Sequence, residues 1–417
     1  MQDKICAKKR KKICVPPLFI VKLKIMNTRR IYLDHSSTTY LDPRVKAVME
    51  PYWIEKFGNA SSIYEEGREA KKAISDARLK VASVLNARPD EIVFIAGGTE
   101  SDNLAIFGVA RKIGKGHIIT TKIEHHAVLH AFEKLVKEGF EADYVDVDKD
   151  GIVDLKQFKA ALKPETVLVS IMYANNEIGT VQPITEISKI IRNFRNSKHL
   201  AAFPLLHTDA VQAPSYLDLN VDKLGVDLLT LNASKIYGPK GIGCLYVKRG
   251  IKLEPLIYGG GQESGLRSGT ENIPAIAGFA EALELAQKER ENESERLKKI
   301  RDYFIEQILK KIPDTVLNGS QENRLPNNVN VSFLNVEGES IVLYLDAKGV
   351  SCSTGSACNS ASLEPSHVIR ALKRSHEYAN GSVRFTTGKI TKKSDIDYVL
   401  KVLPDIVKKL RGISALS

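Results

Sequence analysis

Lys235 is the side chain best placed to do covalent chemistry. It sits in Thr230-Leu231-Asn232-Ala233-Ser234-Lys235-Ile236-Tyr237-Gly238-Pro239-Lys240-Gly241, between an apolar run and a glycine-proline turn. A lysine amine becomes a nucleophile near neutral pH only when desolvation or a cationic neighbour lowers its pKa. The run 226–231 reads as a buried strand that would deliver Lys235 into such a place, although an ordinary surface lysine after a strand fits this window equally well. Lys240, in Gly-Pro-Lys-Gly, reads as solvated. A second nucleophile is Cys358, in the small, polar stretch Ser351-Cys352-Ser353-Thr354-Gly355-Ser356-Ala357-Cys358-Asn359-Ser360. Such a stretch keeps a thiol exposed and suits nucleophilic work better than packing. Cys352 and Cys358 stand in a C-x5-C spacing with no second pair, so no metal site is expected of them.

The elements that must position these groups alternate between apolar runs and helical patterns, the signature of a mostly parallel sheet covered by helices. The runs 91–95, 117–121, 142–147, 167–172, 205–209, 227–231 and 243–247 are the expected strands. Ligands in such sheets gather at the carboxyl ends of the strands, so the residue after each strand carries the information. Gly97-Gly98-Thr99 opens a helix where backbone N–H groups could hold a phosphate, or where Thr99 could simply cap it. His125 follows the next strand, beside a structural candidate, His126. Asn175-Asn176 offers amides that turn chemistry alone would also explain. Asp209 ends a strand, and burying it demands a cationic partner, either a protonated ring nitrogen or an arginine. The turn His35-Ser36-Ser37-Thr38-Thr39 could present hydroxyls to a ligand, just before a helix opened by Asp42-Pro43.

Length and composition bound the rest. At 417 residues and 43% hydrophobic, the chain can bury the cores of two or three domains. It has no 18-residue apolar run, and its five scattered cysteines form no disulfide framework, so a membrane span is not expected and a reducing, cytoplasmic setting is. Residues 1–30 hold ten lysines and arginines against Asp3 alone, so nearly all of the net +11 lies there. That segment reads as a nucleic-acid patch, as a targeting peptide, or as a stretch upstream of a true start at Met26. The expected organisation is a basic extension at 1–30, a joining segment at 31–50, a large domain at 51–264 and a smaller α+β domain at 265–417 carrying the cysteine stretch. The fold class is therefore α/β, a seven-stranded, mainly parallel sheet plus a smaller α+β domain.

Taken in order, Tyr32-Leu33-Asp34, Phe57-Gly58-Asn59, Gly97-Gly98-Thr99-Glu100, Glu124-His125, Asn175-Asn176-Glu177-Ile178-Gly179, Asp209-Ala210-Val211-Gln212, Ser234-Lys235-Ile236-Tyr237-Gly238-Pro239-Lys240-Gly241, Arg267-Ser268-Gly269-Thr270 and Gly355-Ser356-Ala357-Cys358 resemble the pyridoxal-phosphate-dependent cysteine desulfurases of the NifS/IscS type, within the class V aminotransferases. The likeness runs from Ile31 to Leu403. It implies the fold type I of pyridoxal 5'-phosphate transferases and the conversion of L-cysteine to L-alanine, with a persulfide formed on Cys358. It implies Lys235 as the residue that holds the cofactor aldehyde, Asp209 on the pyridine nitrogen, Gln212 on the ring oxygen, and Asn176 and the stacked His125 as further contacts. Gly98 and Thr99 correspond to the phosphate cradle, Thr270 to a phosphate ligand lent by the second subunit of a homodimer, and Arg384 to the clamp on the substrate carboxylate. The implied partner is a sulfur acceptor such as an iron–sulfur scaffold or a tRNA-thiolation enzyme, with no direct nucleic-acid binding.

The chain departs from that family where Ser-x-His-Lys is replaced by Asn232-Ala233-Ser234-Lys235, so that Asn232 and Ser234 stand in for the phosphate contacts. It departs again where an asparagine-bearing turn becomes His35-Ser36-Ser37, leaving Ser37 as the substrate contact. A selenocysteine lyase, or another lyase or transaminase of the same fold, is the alternative enzyme. An inactive sulfur carrier or RNA-associated binding protein is the alternative of another class, and the joint presence of Lys235, Asp209, His125 and Cys358 weighs against it.

Overall fold

The computed structural model describes residues 30–354 and 365–414. Cys358 lies outside the described residues.

Pairing begins with β1 (Ile31–Tyr32) and continues through β2 (Ile92–Ile95), β3 (His117–Thr121), β4 (Glu141–Val145), β5 (Thr166–Ser170), β6 (Leu205–Asp209), β7 (Leu228–Asn232) and β8 (Gly243–Val247). β2 to β8 form one seven-stranded sheet in the order β2-β8-β7-β6-β5-β3-β4, parallel except for β8, which runs antiparallel to both neighbours. Most of these strands are buried along their whole length because helices cover both faces, which is why the sequence shows continuous apolar runs rather than alternation. Successive side chains still point to opposite faces. Ile119, Val169 and Leu229 pack in the core shared with the helices Glu65–Leu85 and Ile273–Lys311. Their neighbours Ile118, Leu168 and Leu228 pack against the helices Gly98–Ile113 and His126–Lys137. β4, at the edge, keeps Glu141 exposed and is only partly covered.

The strands fall close to the sequence expectation, with physical reasons for the shifts. β2 starts at Ile92 because Glu91 closes a short turn and accepts from the Arg88 and Arg249 N–H groups, both at 2.8 Å. β5 ends at Ser170, and by Met172 the backbone N–H has turned to the Glu124 carboxylate at 3.1 Å. The long helix that follows starts at Ile273, with Asn272 capping the Ala275 N–H at 3.2 Å and Pro274 in the first turn. Its 39 residues join two cores: Ile276, Phe279 and Leu283 belong with the large sheet, whereas Phe304, Ile305 and Ile308 belong with a second cluster. Between them Glu289 binds Arg44 (2.6 Å) and Lys389 (2.7 Å), so the charged middle ties the helix Pro43–Met49 to the C-terminal part.

That second cluster is built on β9 (Thr315–Leu317), β10 (Asn328–Phe333), β11 (Val350–Ser351) and β12 (Ser382–Thr386). β12, β10 and β9 form an antiparallel sheet, and β11 pairs in parallel with β1, which brings Leu33 into the same core.

Candidate active site

Adjacent strands β3 and β5 send their following loops in opposite directions, since β3 leads to β4 on one side and β5 to β6 on the other. The crevice at their carboxyl ends is a topological switch point. The segments Thr121–His125, Ser170–Asn176, Asp209–Gln212 and Asn232–Lys235 all leave the sheet along this rim.

Lys235 ends a single helical turn, Ala233–Lys235, that follows β7 directly. The Asn232 side chain caps this turn by accepting from the Ser234 N–H at 3.1 Å. Beyond it, Tyr237 sits in the left-handed region at φ 62°, costly for a bulky side chain. Two contacts hold it there: its N–H donates to Thr39 Oγ1 (2.8 Å), and its hydroxyl accepts from the Lys389 N–H (2.9 Å). The turn is thus over-determined, and the Lys235 Nζ is delivered to the Ser37 carbonyl, to which it donates. Lys240 is exposed, as its turn implied.

Asp209 accepts from the Val211 N–H at 2.9 Å. Burial pushes its carboxyl up to about 6, against the opposing pull of that hydrogen bond and of Lys235. Among the described residues it has no arginine partner, so the cation it calls for must come from elsewhere. Gln212 donates to the Ser36 carbonyl at 3.1 Å. His125 caps its helix, its Nδ1 accepting from the Ala127 N–H at 3.1 Å, which places the ring proton on Nε2. Burial, with His126, Lys235 and other cationic neighbours, lowers its pKa to about 4, so the imidazole is neutral at physiological pH. Asn175 spends its side chain on the Glu177 and Ile178 N–H groups (2.8 and 2.9 Å) and is the turn former, which leaves the Asn176 amide for a ligand.

The helix Gly98–Ile113 starts after Gly97 with no side-chain cap, so the N–H groups of its first turn, at Gly98 and Thr99, are offered to the crevice. Asn232 reaches over them, its Nδ2 lying 3.6 Å from where a Cβ on Gly98 would stand, while Val211 closes the other side at 3.0 Å. Ser234 is half-buried and its carbonyl accepts from the Thr39 N–H and hydroxyl. Thr270 is exposed, beside the left-handed Gly269, and shares no hydrogen bond with the Lys235 cluster among the described residues.

Arg384 is the buried cation of the site. It donates to Asp34 Oδ1 (2.8 Å), Ser37 Oγ (2.7 Å) and the Asn176 carbonyl (2.9 Å), and its Nε is buried without a partner. The fork expected for a carboxylate is therefore already steadied by Asp34, and the Ser37 hydroxyl, used here as an acceptor, keeps its own proton to give.

Asp34 was not singled out by sequence reasoning, although it ends the first apolar run just as Asp209 ends a later one. Asp102 and Glu124 were missed as well. Burial pushes Glu124 up to about 8 and raises Asp102 well above the carboxylate range, and Asp209 adds like charge to both. Asp102 lies 3.7 Å from His207 Nε2, which also meets Thr230 Oγ1 at 3.0 Å. The available signal was Ser101-Asp102 on the apolar side of its helix, polar residues where periodicity asks for apolar ones.

Uncapped N–H groups at one end, a buried carboxyl at the other and a lysine between them fit a phosphorylated pyridine aldehyde. The donor set matches each of its functional groups: anion, ring nitrogen and carbonyl. The family model for aminotransferase class-V matches residues 31–399. The chain is 53% identical over 388 residues to the cysteine desulfurase IscS of Dictyoglomus turgidum, covering 93% of this chain and 96% of that one. It is 48% identical over 392 residues to the cysteine desulfurase IscS of Clostridium botulinum, covering 93% and 97%. Among solved structures, a NifS-like protein superposes with a TM-score of 0.85 at 36% identity, covering 91% of this chain and all of that one.

Proposed function

The chain belongs to the class-V aminotransferase family and is a pyridoxal-phosphate-dependent cysteine desulfurase, and we propose that Lys235, Asp209, His125, Arg384 and Cys358 carry its reaction. The observation behind this reading is the meeting of the Lys235 amine, the Ser37 turn and Arg384 beside Asp209 and a neutral His125. When bound, the cofactor supplies an electron-accepting ring. Gly98, Thr99, Asn232, Ser234 and the partner subunit's Thr270 would hold its phosphate; Asp209 would keep its nitrogen protonated; Gln212 and Asn176 would bond its polar substituents; and His125 would cover its face.

Arg384 and Ser37 receive the substrate carboxylate, a bidentate task suited to guanidinium. The Lys235 Nζ takes the α-proton of L-cysteine. The Cys358 thiolate attacks the substrate sulfur, so that the sulfur–carbon bond breaks as a sulfur–sulfur bond forms. His125 relays to the carbon left behind the proton that the Cys358 thiol gives up, so the imidazole ends neutral. The balance is one Cys358 thiol and one cysteine giving one Cys358 persulfide and one alanine.

The chain works as a homodimer. Trp53, Ile54, Phe57, Ile63 and Tyr64 crowd one stretch and are exposed, Ile54 and Ile63 at 82% and 90%, an apolar concentration suited to burial against a second copy. Among the described residues no helix is long and apolar enough to cross a membrane, in keeping with a cytoplasmic enzyme that hands sulfur to an iron–sulfur scaffold or a tRNA-thiolation enzyme. The test is to add L-cysteine to the purified protein and follow its visible absorption, alanine release and sulfide under reductant. Alanine release that vanishes in Cys358→Ala, with the cofactor absorption retained, supports the assignment. Undiminished release refutes the role of Cys358.

A further inference from the structure

Next to the active site, and not used by the chemistry above, three imidazoles crowd together. The His126 ring centroid lies 5.0 Å from that of His130, with the rings stacked, and 4.7 Å from that of His367. His126 and His130 are one helical turn apart on His126–Lys137, a spacing that puts both rings on one face, as in helical zinc-binding pairs. Glu133, a further turn along that face and exposed, adds an oxygen donor and acts on His126 electrostatically. His367 comes from another element, the first turn of the helix His367–Ala371.

The state of His367 points to a ligand rather than to packing. Its Nε2 lies 2.9 Å from the Glu124 carbonyl, which can only accept, so the ring proton is on Nε2 and Nδ1 carries a bare lone pair. A backbone carbonyl on the far nitrogen is the arrangement that orients metal-ligating histidines. Among the described residues no three such side chains converge on one point as they stand. His130 and Glu133 are exposed, so solvent leaves their side chains room to turn toward His126.

We propose that His126, His130, His367 and Glu133 form a surface site for one divalent transition-metal cation of the zinc or nickel class, the choice that three imidazoles and one carboxylate favour. The site lies within one chain and adjoins His125.

The test uses untagged, cofactor-loaded full-length protein carrying Cys358→Ala, so that the thiol cannot contribute, titrated calorimetrically with nickel ion alone. The expected result is saturable binding of one nickel per chain, weakened about tenfold or more by His130→Asn and unchanged by His199→Asn, an exposed histidine elsewhere. Absence of one-to-one binding, equal affinity in His130→Asn, or equal loss in both variants overturns the site.

Discussion

The two rims of the seven-stranded sheet carry the same residue types in different company. At the amino ends, Asp227 is buried but neutralised by Arg195 (2.7 Å) and Lys248 (3.5 Å), and it also accepts from the Leu206 N–H (2.9 Å). His117, on the same rim, meets Thr166 Oγ1 with one nitrogen (2.9 Å) and Asp143 with the other (3.1 Å). Among the described residues at the carboxyl ends, Asp209 has one backbone N–H and no arginine, and His125 spends only Nδ1. Buried polar groups are normally satisfied within the protein. The rim where they are left with unspent valences is the rim to which the proposed assignment brings the ligand, and the same difference divides the residues proposed to react from structural ones of the same chemical type.

The comparison is tested most severely at Lys235. Lys235→Ala should lower kcat/KM by roughly 10,000-fold or more, because in the proposed assignment one amine serves as both cofactor anchor and base. Lys240→Ala, five residues on and exposed, should stay within about twofold, a surface change touching no reacting group. Comparable losses in both, measured by alanine release, would mean that the turn and not the Lys235 side chain matters.

Asp209→Asn comes next, with a fall in kcat of roughly 100- to 1,000-fold from weaker protonation of the ring. It also has a readout without cofactor. Between the ordinary carboxylate pKa of 3.8 and its folded value of about 6, Asp209 keeps a proton in the folded chain that the unfolded chain has lost. Stability from this group therefore falls as pH rises through that window, by about 3 kcal/mol at most. Glu124, pushed up to about 8, adds a slope of the same sign that persists to higher pH. Cofactor-free Asp209→Asn should thus lose less stability between pH 4 and pH 6 than the parent does in urea titrations, and equal slopes would show that Asp209 is not the strained carboxyl.

Much of this contrast was legible in the residue order. Buried parallel strands announce themselves as apolar runs, and β3, β6 and β8 occupy the residues expected. Lys235 and Asp209 stand where strands end, so the rule about carboxyl ends found them. What escaped is what only three dimensions supply. β9, three half-buried residues, has no pattern long enough to read. The pairing of Asp34 with Arg384 joins residues some 350 positions apart, so nothing local reveals it. Asp102, His207 and Thr230 meet only because a helix packs there on two paired strands.

The smallest effect tests the satisfied rim. Asp227→Ala leaves the Arg195 guanidinium and the Leu206 N–H without their shared acceptor. Arg195 keeps the Pro204 carbonyl and is partly solvent-exposed, and Lys248 is mostly so, which discounts their charges. The cost should be about 2 kcal/mol of stability, read as a lower urea midpoint, chiefly from the buried N–H and the half-broken pair. Because this rim lies at the opposite ends of the strands from Lys235, kcat and KM should not change. An aspartate that proved indispensable for turnover here would put reacting groups at both ends of the sheet, and the division between spent and unspent valences would no longer locate the active site.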